Sequence, residues 1–306
     1  MLKFFIAVLI LLIPLTGCSR ANDHNQPTVR IAYIPITHSA AVMVLPEIAQ
    51  PDDDFRIELI RFTAWPEVVE ALRAGHVDAA SILIEVAMRA FEMDDSLAVV
   101  SLSHRDGNVI VVSNDIRSYA CLVGQTVAIP HALSPHNALL RKVLEREGIG
   151  IDEINLVEIS PAEMPFTMAA RAISAYVVAE PWGSLAEARG IGRILENSDE
   201  IRPDAVCCVM LFNTQIFEAY DGLHDWFLNR FEEAAALAEA RHDSVFNAFR
   251  RRTNFEIEII AQSLENTSFQ NLVFTAEDFE SVAETILRFE ILETIPHFED
   301  FVRRGN

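Results

Sequence analysis

The feature of this sequence that most constrains its fold is a regular alternation of strand-like and helix-like segments. VRIAYIP at residues 29–35 is rich in β-branched and aromatic residues and ends at a proline, which is typical of a buried strand followed by a loop. FRIELIRF at residues 55–62 leads into a segment with helical spacing that begins near Pro66 and stops at Gly75. Strands separated by short helices predict parallel sheets with right-handed crossovers.

A second, similar series begins with QTVAIP at residues 125–130 and ends with AYVVAE at residues 175–180. Two such series predict an α/β protein with two lobes, at the usual ~100–200 residues per domain. From about Leu223 the chain is mostly helical, and Thr275 with the acidic residues behind it resembles a helix cap. We expect these C-terminal helices to pack on the first lobe.

A short apolar run near the start of the sequence ends at Leu15-Thr16-Gly17-Cys18. The run is shorter than the ~20 residues of a transmembrane helix, and it follows a basic residue, Lys3, as in a secretory signal. Its end resembles the bacterial lipobox, whose cysteine takes a diacylglycerol and a further acyl chain such as palmitate. The sequence therefore predicts an exported lipoprotein on a bacterial membrane, with residues 1–18 as signal peptide and 19–27 as tether. The alternative is a plain signal peptide with a chance cysteine.

The charge and the cysteines exclude some classes of protein. The formal net charge of −21 argues against nucleic-acid binding, which needs clustered lysine and arginine. Besides Cys18, only Cys121, Cys207 and Cys208 are present, so no disulfide framework is expected. Because Cys207 and Cys208 lie in an apolar strand, we expect burial rather than reactivity.

In open parallel sheets the ligand lies outside the carboxyl ends of the strands. This rule selects loop positions in both halves of the chain, namely Thr37, His38, Trp65, Ser81, Gly107, Asn108, Ser134, His136, Glu180 and Trp182. Thr37 and Ser134 stand at predicted helix entrances, where a hydroxyl group and free N–H groups favour an anion.

Five segments are familiar in their order along the chain: IAYIPITHSAAVMVL, AWPEVVEALRAGHVDAA, SHRDGNVIVVS, PHALSPHNALLRKVLEREGI and ISAYVVAEPWGSLAEARG. Together with the lipobox they resemble the substrate-binding lipoproteins of ABC importers, in the nitrate, sulfonate, bicarbonate and thiamine-precursor group. The resemblance implies a type II periplasmic-binding-protein fold that closes on a small solute like a hinge. It also implies a permease and its ATPase as partners and no cofactor.

The same resemblance implies where the lobes lie. Lobe 1 is expected to comprise residues 28–112 and 206–306, and lobe 2 residues 113–205. Crossing segments near Val109–Ser113 and Val206–Asn213 are expected to form the hinge.

For the nitrate and bicarbonate branch, the resemblance also implies roles for individual residues. Trp65 matches a pocket tryptophan after the second strand, Asn108 matches a polar residue after the crossing glycine, and His136 matches a histidine at a helix start. Glu180 matches a carboxylate that can reach a cation bound beside the ligand. The sequence is shorter than that branch and has no lysine near the pocket, so a thiamine-precursor pyrimidine or flavin-like solute stays open beside an anion.

A metal site and an enzyme active site are the two other classes of site to consider. His38 and His104 could bind a metal with Glu180, but no His-x-x-x-His spacing supports it, so the sequence predicts no metal site. A secreted enzyme is the alternative to a receptor. A hydrolase would need a Gly-x-Ser-x-Gly motif, which is absent, and a relative of the pyrimidine synthases would need a Cys- and His-rich loop. We therefore expect a binding protein rather than an enzyme.

Overall fold

A computed structural model describes residues 26–304. The first stretch contains four strands and three helices: β1 (Thr28–Tyr33), α1 (Ala40–Val44), β2 (Arg56–Arg61), α2 (Trp65–Arg73), β3 (Ala79–Leu83), α3 (Ile84–Met93) and β4 (Leu97–Asp106). The middle stretch contains β5 (Asn108–Ser113), β6 (Thr126–Ile129), α4 (Pro135–Arg146), β7 (Asn155–Glu158), α5 (Met164–Ala169), β8 (Ala175–Ala179), α6 (Trp182–Ala188), β9 (Gly192–Asn197) and α7 (Ser198–Ile201). The last stretch contains β10 (Val206–Asn213), α8 (Gln215–Ala219), α9 (Leu223–Glu239), α10 (Asp243–Arg252), α11 (Ile257–Ser263), β11 (Thr267–Ser268), α12 (Ala276–Arg288) and α13 (Phe298–Phe301).

The strands form two sheets, one in each lobe. The order of the first is β11-β4-β10-β3-β1-β2, and the order of the second is β7-β6-β8-β5-β9. β1 pairs in parallel with β2 and β3, and β6 with β7 and β8, as the alternation predicts. The expectation of wholly parallel sheets is wrong, because β10 is antiparallel to β3 and β4, and β5 is antiparallel to β8 and β9. β5 and β10 each begin where the chain passes from one lobe into the other, so the rule for strand–helix–strand crossovers does not apply to them.

The chain crosses between the lobes earlier than the sequence indicates. Because β5 pairs in the second sheet, residues 108–112 lie in lobe 2, and the crossing falls at Asp106 and Gly107. Both have positive φ values, 56° and 84°. The return crossing lies beside it, since Asp106 N–H donates to the Ala205 carbonyl at 3.0 Å and Ala205 N–H donates to Asp106 Oδ1 at 3.1 Å. The segments expected as hinges, Val109–Ser113 and Val206–Asn213, are strands instead.

Two helix boundaries follow from local residues as predicted. α2 has Pro66 in its first turn, and Gly75, just beyond its end, has a φ of +67°. Thr275 caps α12: its Oγ1 accepts from Asp278 N–H at 3.1 Å, and the Asp278 carboxylate accepts from Thr275 N–H at 3.1 Å. This is the reciprocal arrangement of a capping box.

The C-terminal helices pack on lobe 1, and some of them also contact lobe 2. α9 and α10 pack against α1, and their Phe227, Phe231 and Phe249 share a buried cluster with Met43 of α1. α11 contacts α10 and the same buried cluster through Ile260, and it also packs against α6 of lobe 2, where Arg189 and Glu256 form an ion pair at 2.8 Å. The expected packing on lobe 1 therefore holds for α9 and α10, whereas α11 also contacts lobe 2.

Among residues 26–304, no helix combines the length and the apolar character needed to cross a membrane. The predicted lipid attachment at Cys18 lies outside these described residues.

Candidate functional site between the two lobes

The residues selected from strand ends meet where the two lobes face each other. Nine of the ten are buried, and Trp182 is partly buried. Thr37, in the turn after β1, donates through both its N–H and its Oγ1 to the Glu180 carbonyl, each at 2.9 Å. Glu180 N–H donates in turn to the Gly107 carbonyl at 3.0 Å. These bonds join lobe 1, the crossing and lobe 2 in a closed arrangement.

Three of the selected side chains form hydrogen bonds with groups of their own lobe. Glu180 Oε2 accepts from Gly183 N–H at 3.1 Å and Ser184 N–H at 2.9 Å, and Glu180 Oε1 accepts from Ser184 Oγ at 2.7 Å. Burial raises the pKa of the Glu180 carboxyl, and these bonds offset part of the rise. Ser134 Oγ caps α4, and Ser81 Oγ hydrogen-bonds Ser103 Oγ at 2.7 Å. In this arrangement the Glu180 carboxylate therefore binds the first turn of α6.

Other side chains at this interface are buried with polar atoms that lack a hydrogen-bond partner among the described residues. They are Trp65 Nε1, Glu85 Oε2, both ring nitrogens of His104, Asn108 Oδ1, both ring nitrogens of His136, and Trp182 Nε1. A buried polar group without a partner costs about 1–3 kcal/mol, so each of these atoms calls for a partner such as a water, an ion or a ligand. Both lobes contribute to this set, because Trp65 and Glu85 belong to the first lobe, and His136 and Trp182 to the second.

The structure also assembles a group that the sequence did not reveal. His38, His104, Cys207 and Cys208 are fully or almost fully buried, and one donor atom from each lies within 4.8 Å of the others. The two Sγ atoms are 3.9 Å apart, and His38 Nδ1 lies 3.6 Å from Cys207 Sγ and 3.8 Å from Cys208 Sγ. Imidazole nitrogens and thiolates are the donors that zinc and other borderline or soft metals prefer.

A β-bulge explains why neighbouring cysteines face the same group. Side chains of consecutive residues in a regular strand point to opposite faces. The pairing of β10 with β4 shifts register on both sides of Cys208, between Val206 and Cys208 and between Cys208 and Val209. Bulges re-aim side chains and are frequent beside functional sites. The expected burial of Cys207 and Cys208 is confirmed, but the bulge that turns both toward His38 cannot be read from the apolar sequence AVCCVML.

The expectation that no metal site exists rested on spacing along the chain. Spacing is uninformative here, because the donors come from three separate segments: the turn after β1, β4 and β10. His38 and His104 do lie together, with ring centroids 3.8 Å apart. Their companions are the two cysteines rather than Glu180.

The protonation of this group is set by its burial and its close neighbours. Burial raises the pKa of the Cys207 thiol, but the hydrogen bond with Cys208 and the neighbouring histidines outweigh burial and hold that pKa well below its usual range. The pKa of Cys208 is raised, by burial and by its hydrogen bond with Cys207. Burial, assisted by His38, lowers the pKa of His104 and favours its neutral form.

His136 covers this group from the second lobe. It lies at the start of α4, and its ring stacks on His38 with centroids 6.4 Å apart and an interplanar angle of 17°. Burial lowers the pKa of His136 to about 4, so its imidazole is neutral.

An open pocket of about 540 Å³ lies beside the closed interface. Ile36 and Trp182 line it next to the central residues, and the rest of its wall combines apolar side chains, Glu256 and five arginines: Arg61, Arg189, Arg250, Arg251 and Arg252. Three of these arginines are balanced by ion pairs, Arg189 with Glu256, and Arg251 and Arg252 with Glu47.

Residues 22–247 match the NMT1-like family over most of the chain. The chain belongs to the NMT1-like family. The fold of this NMT1-like protein is shared by the ligand-binding component of an ABC-type import system from Staphylococcus aureus, solved with zinc bound. The TM-score is 0.86 at 27% sequence identity, over 91% of this chain and 97% of that one.

Two further proteins are similar to this chain at lower sequence identity. The periplasmic nitrate-binding protein NrtA from Synechocystis PCC 6803 has a TM-score of 0.75 at 14% identity, over 89% of this chain and 83% of that one. The putative aliphatic sulfonates-binding protein of Escherichia coli K12 is 24% identical over 215 residues. That alignment spans 69% of this NMT1-like chain and 66% of the relative. The two-lobed α/β fold expected of an ABC substrate-binding protein is thereby confirmed.

Proposed function

We propose that this protein is the solute-binding receptor of an ABC importer, which captures a small solute between its lobes and passes it to a permease and its ATPase. The observation that carries the proposal is the set of unpartnered buried polar atoms contributed by both lobes. A solute that contacts both lobes binds the closed state more tightly than the open one, which is what closure by a ligand requires.

The proposed solute is a small anion of the nitrate, sulfonate or bicarbonate type. Trp65 Nε1 and Trp182 Nε1 can only donate hydrogen bonds, so they suit the oxygens of an anion. Arg61 and Arg250 of the open pocket form no ion pair among the described residues, and they favour the approach of an anion to a protein that is otherwise acidic. The names of the nitrate- and sulfonate-binding relatives agree with this class.

A thiamine-precursor pyrimidine is the second candidate. Trp65 and Trp182 place one indole in each lobe, and a flat aromatic surface can stack on a planar solute.

Thermal unfolding with a panel of nitrate, bicarbonate, ethanesulfonate and an aminopyrimidine tests the proposal. A ligand at 100 times its dissociation constant stabilises the folded state by about 2.7 kcal/mol. We expect one panel member to raise the melting temperature, and Trp65→Ala or His136→Ala to abolish that rise. Trp226→Phe is the control, because Trp226 packs on Phe55 in the lobe 1 core. Chemical conversion of the compound during incubation would instead favour an enzyme.

We also propose that the protein is exported and carries lipid on Cys18, as the Leu15-Thr16-Gly17-Cys18 motif indicates. Metabolic labelling with a fatty acid should mark the wild-type protein and the Cys121→Ser control, but not Cys18→Ala. Label that persists in Cys18→Ala would contradict lipid attachment at this residue.

A further inference from the structure

We infer that His38, His104, Cys207 and Cys208 form a binding site for a tetrahedral divalent metal ion such as Zn²⁺, built within lobe 1 and covered by lobe 2. The inference goes beyond the proposed solute and does not depend on it.

The distances between donor atoms fit a tetrahedral ion. With Zn–S bonds of about 2.3 Å and Zn–N bonds of about 2.0–2.1 Å, a tetrahedron places two sulfurs about 3.8 Å apart and a sulfur about 3.6 Å from a nitrogen. The observed values are 3.9 Å between the sulfurs, and 3.6 and 3.8 Å from His38 Nδ1 to Cys207 Sγ and Cys208 Sγ. Two imidazoles and two thiolates are a common structural zinc set, whereas magnesium and calcium prefer oxygen donors.

The surroundings orient the donors as they do around metals. His38 Nε2 lies 2.9 Å from the Gly107 carbonyl, which can only accept, so Nε2 carries the proton and Nδ1 presents its lone pair to the sulfurs. This backbone contact is the usual outer-sphere partner of a metal-binding histidine. Asn108 Nδ2 donates to Cys207 Sγ at 3.3 Å and so favours the thiolate.

His104 supplies independent support. Its side chain is fully buried, and neither ring nitrogen has a hydrogen-bond partner within the described chain. A metal bound to one of these nitrogens removes part of the cost of burying them.

The placement of the donors indicates how the site is filled. All four belong to lobe 1 elements, namely the turn after β1, β4 and β10, so the ion can bind while the lobes are apart. Closure then brings His136 of lobe 2 over His38. The metal is thus a component of the lobe 1 surface on which lobe 2 closes.

Cobalt substitution tests the site directly. The full chain, reduced and stripped of metal, is titrated with Co²⁺ and followed by visible and near-ultraviolet absorption. We expect one ion per chain, intense d–d bands of tetrahedral Co²⁺, thiolate-to-cobalt charge transfer, and displacement by Zn²⁺. A weak octahedral spectrum without charge transfer would overturn the inference.

Variants assign the donors. Cys207→Ser, Cys208→Ser and His38→Ala should each weaken Co²⁺ binding at least tenfold, and the two serine variants should also reduce the charge-transfer band. Cys121→Ser is the matched control, because Cys121 is an exposed free cysteine of lobe 2.

If a variant does not fold, the melting temperature of the wild type is measured with Zn²⁺ and again after chelation, and we expect Zn²⁺ to raise it. Unchanged Co²⁺ binding in the Cys207→Ser/Cys208→Ser double variant, or an unchanged melting temperature, would contradict the site. None of these readouts involves the solute, so failure of the solute panel leaves this test intact.

Discussion

Gly107 links the conformation of the crossing to the orientation of His38. Its φ is +84°, a region that favours glycine. A Cβ atom at this position would lie 2.6 Å from Thr267 Oγ1 and 2.9 Å from His38 Nε2. The absence of a side chain thus lets the Gly107 carbonyl approach the imidazole closely enough to hold it.

Gly107→Ala should therefore destabilise the protein more than its backbone conformation alone requires. Gly75→Ala is the matched control, because Gly75 also has a positive φ, +67°, and a Cβ added there would meet nothing within 4 Å beyond its chain neighbours. We expect the control to lose about 1–2 kcal/mol of unfolding free energy, the cost of a left-handed alanine, and Gly107→Ala to lose clearly more in the same denaturant titration. Equal losses would show that the close approach of Gly107 to His38 does not contribute to the free energy of unfolding.

At the scale of single residues, the sequence selected positions that meet between the lobes, but it missed some of the side chains that lie there. The strand-end rule selected Thr37, His38 and His136, and the structure brings all three to the interface between the lobes. It did not select Cys207 and Cys208, because the bulge that turns both toward His38 arises from strand pairing across the sheet. The sequence also did not show that the Glu180 carboxylate accepts a hydrogen bond from α6, the helix that follows it.

At the scale of elements, an ion pair between β9 and α4 stabilises lobe 2. Arg146 donates two hydrogen bonds to Glu196, each at 2.7 Å, and Tyr119 Oη donates to Glu196 Oε2 at 2.7 Å. The hydrogen bonds from Arg146 lower the pKa of Glu196 below its ordinary 4.5, against the effect of burial. The contact therefore stabilises the folded state while Glu196 is ionised.

This contact predicts a pH dependence of stability. Because the folded-state pKa of Glu196 is lowered, its contribution is complete above the unfolded value of 4.5 and is lost as the pH falls through the folded-state pKa. Glu196→Gln should lower stability at neutral pH and flatten the loss of stability below pH 4.5. Urea titrations from pH 7 to about 3 measure both effects.

Glu147→Gln is the control, because Glu147 also contacts Arg146, at 3.1 Å, but its side chain is 40% exposed against 16% for Glu196. An exposed ion pair contributes little to stability. The assignment to Glu196 would be contradicted if the stability of Glu196→Gln fell with pH as steeply as that of the wild type. It would also be contradicted if Glu147→Gln changed this pH dependence equally.

The elements themselves were largely predictable, but their directions were not. The alternating pattern predicted β1, β2, α2, β6 and β8, and for α2 it also predicted the start at Pro66 and the stop at Gly75. It could not show that β5 and β10 run against their neighbours, since strand direction depends on which lobe the chain enters next. For the same reason, the sequence placed the crossing between the lobes near Val109–Ser113, whereas it lies at Asp106 and Gly107.

At the scale of the whole molecule, the described residues show two lobes in contact. Hydrogen bonds at Thr37 and Gly107 join the lobes through Glu180, and α11 adds a contact with α6 near the open pocket. The polar atoms without partners lie between these contacts. We interpret this arrangement as the closed state of a hinged receptor, from which a ligand-free protein opens.

Small-angle X-ray scattering tests this claim most directly. The protein is measured alone and with the panel compound that gives the largest thermal shift, at a concentration where that shift is saturated. The account predicts that the radius of gyration falls on binding and that the scattering curve of the complex agrees with the closed arrangement. An unchanged radius of gyration at saturation would contradict capture of a solute by closure of the two lobes.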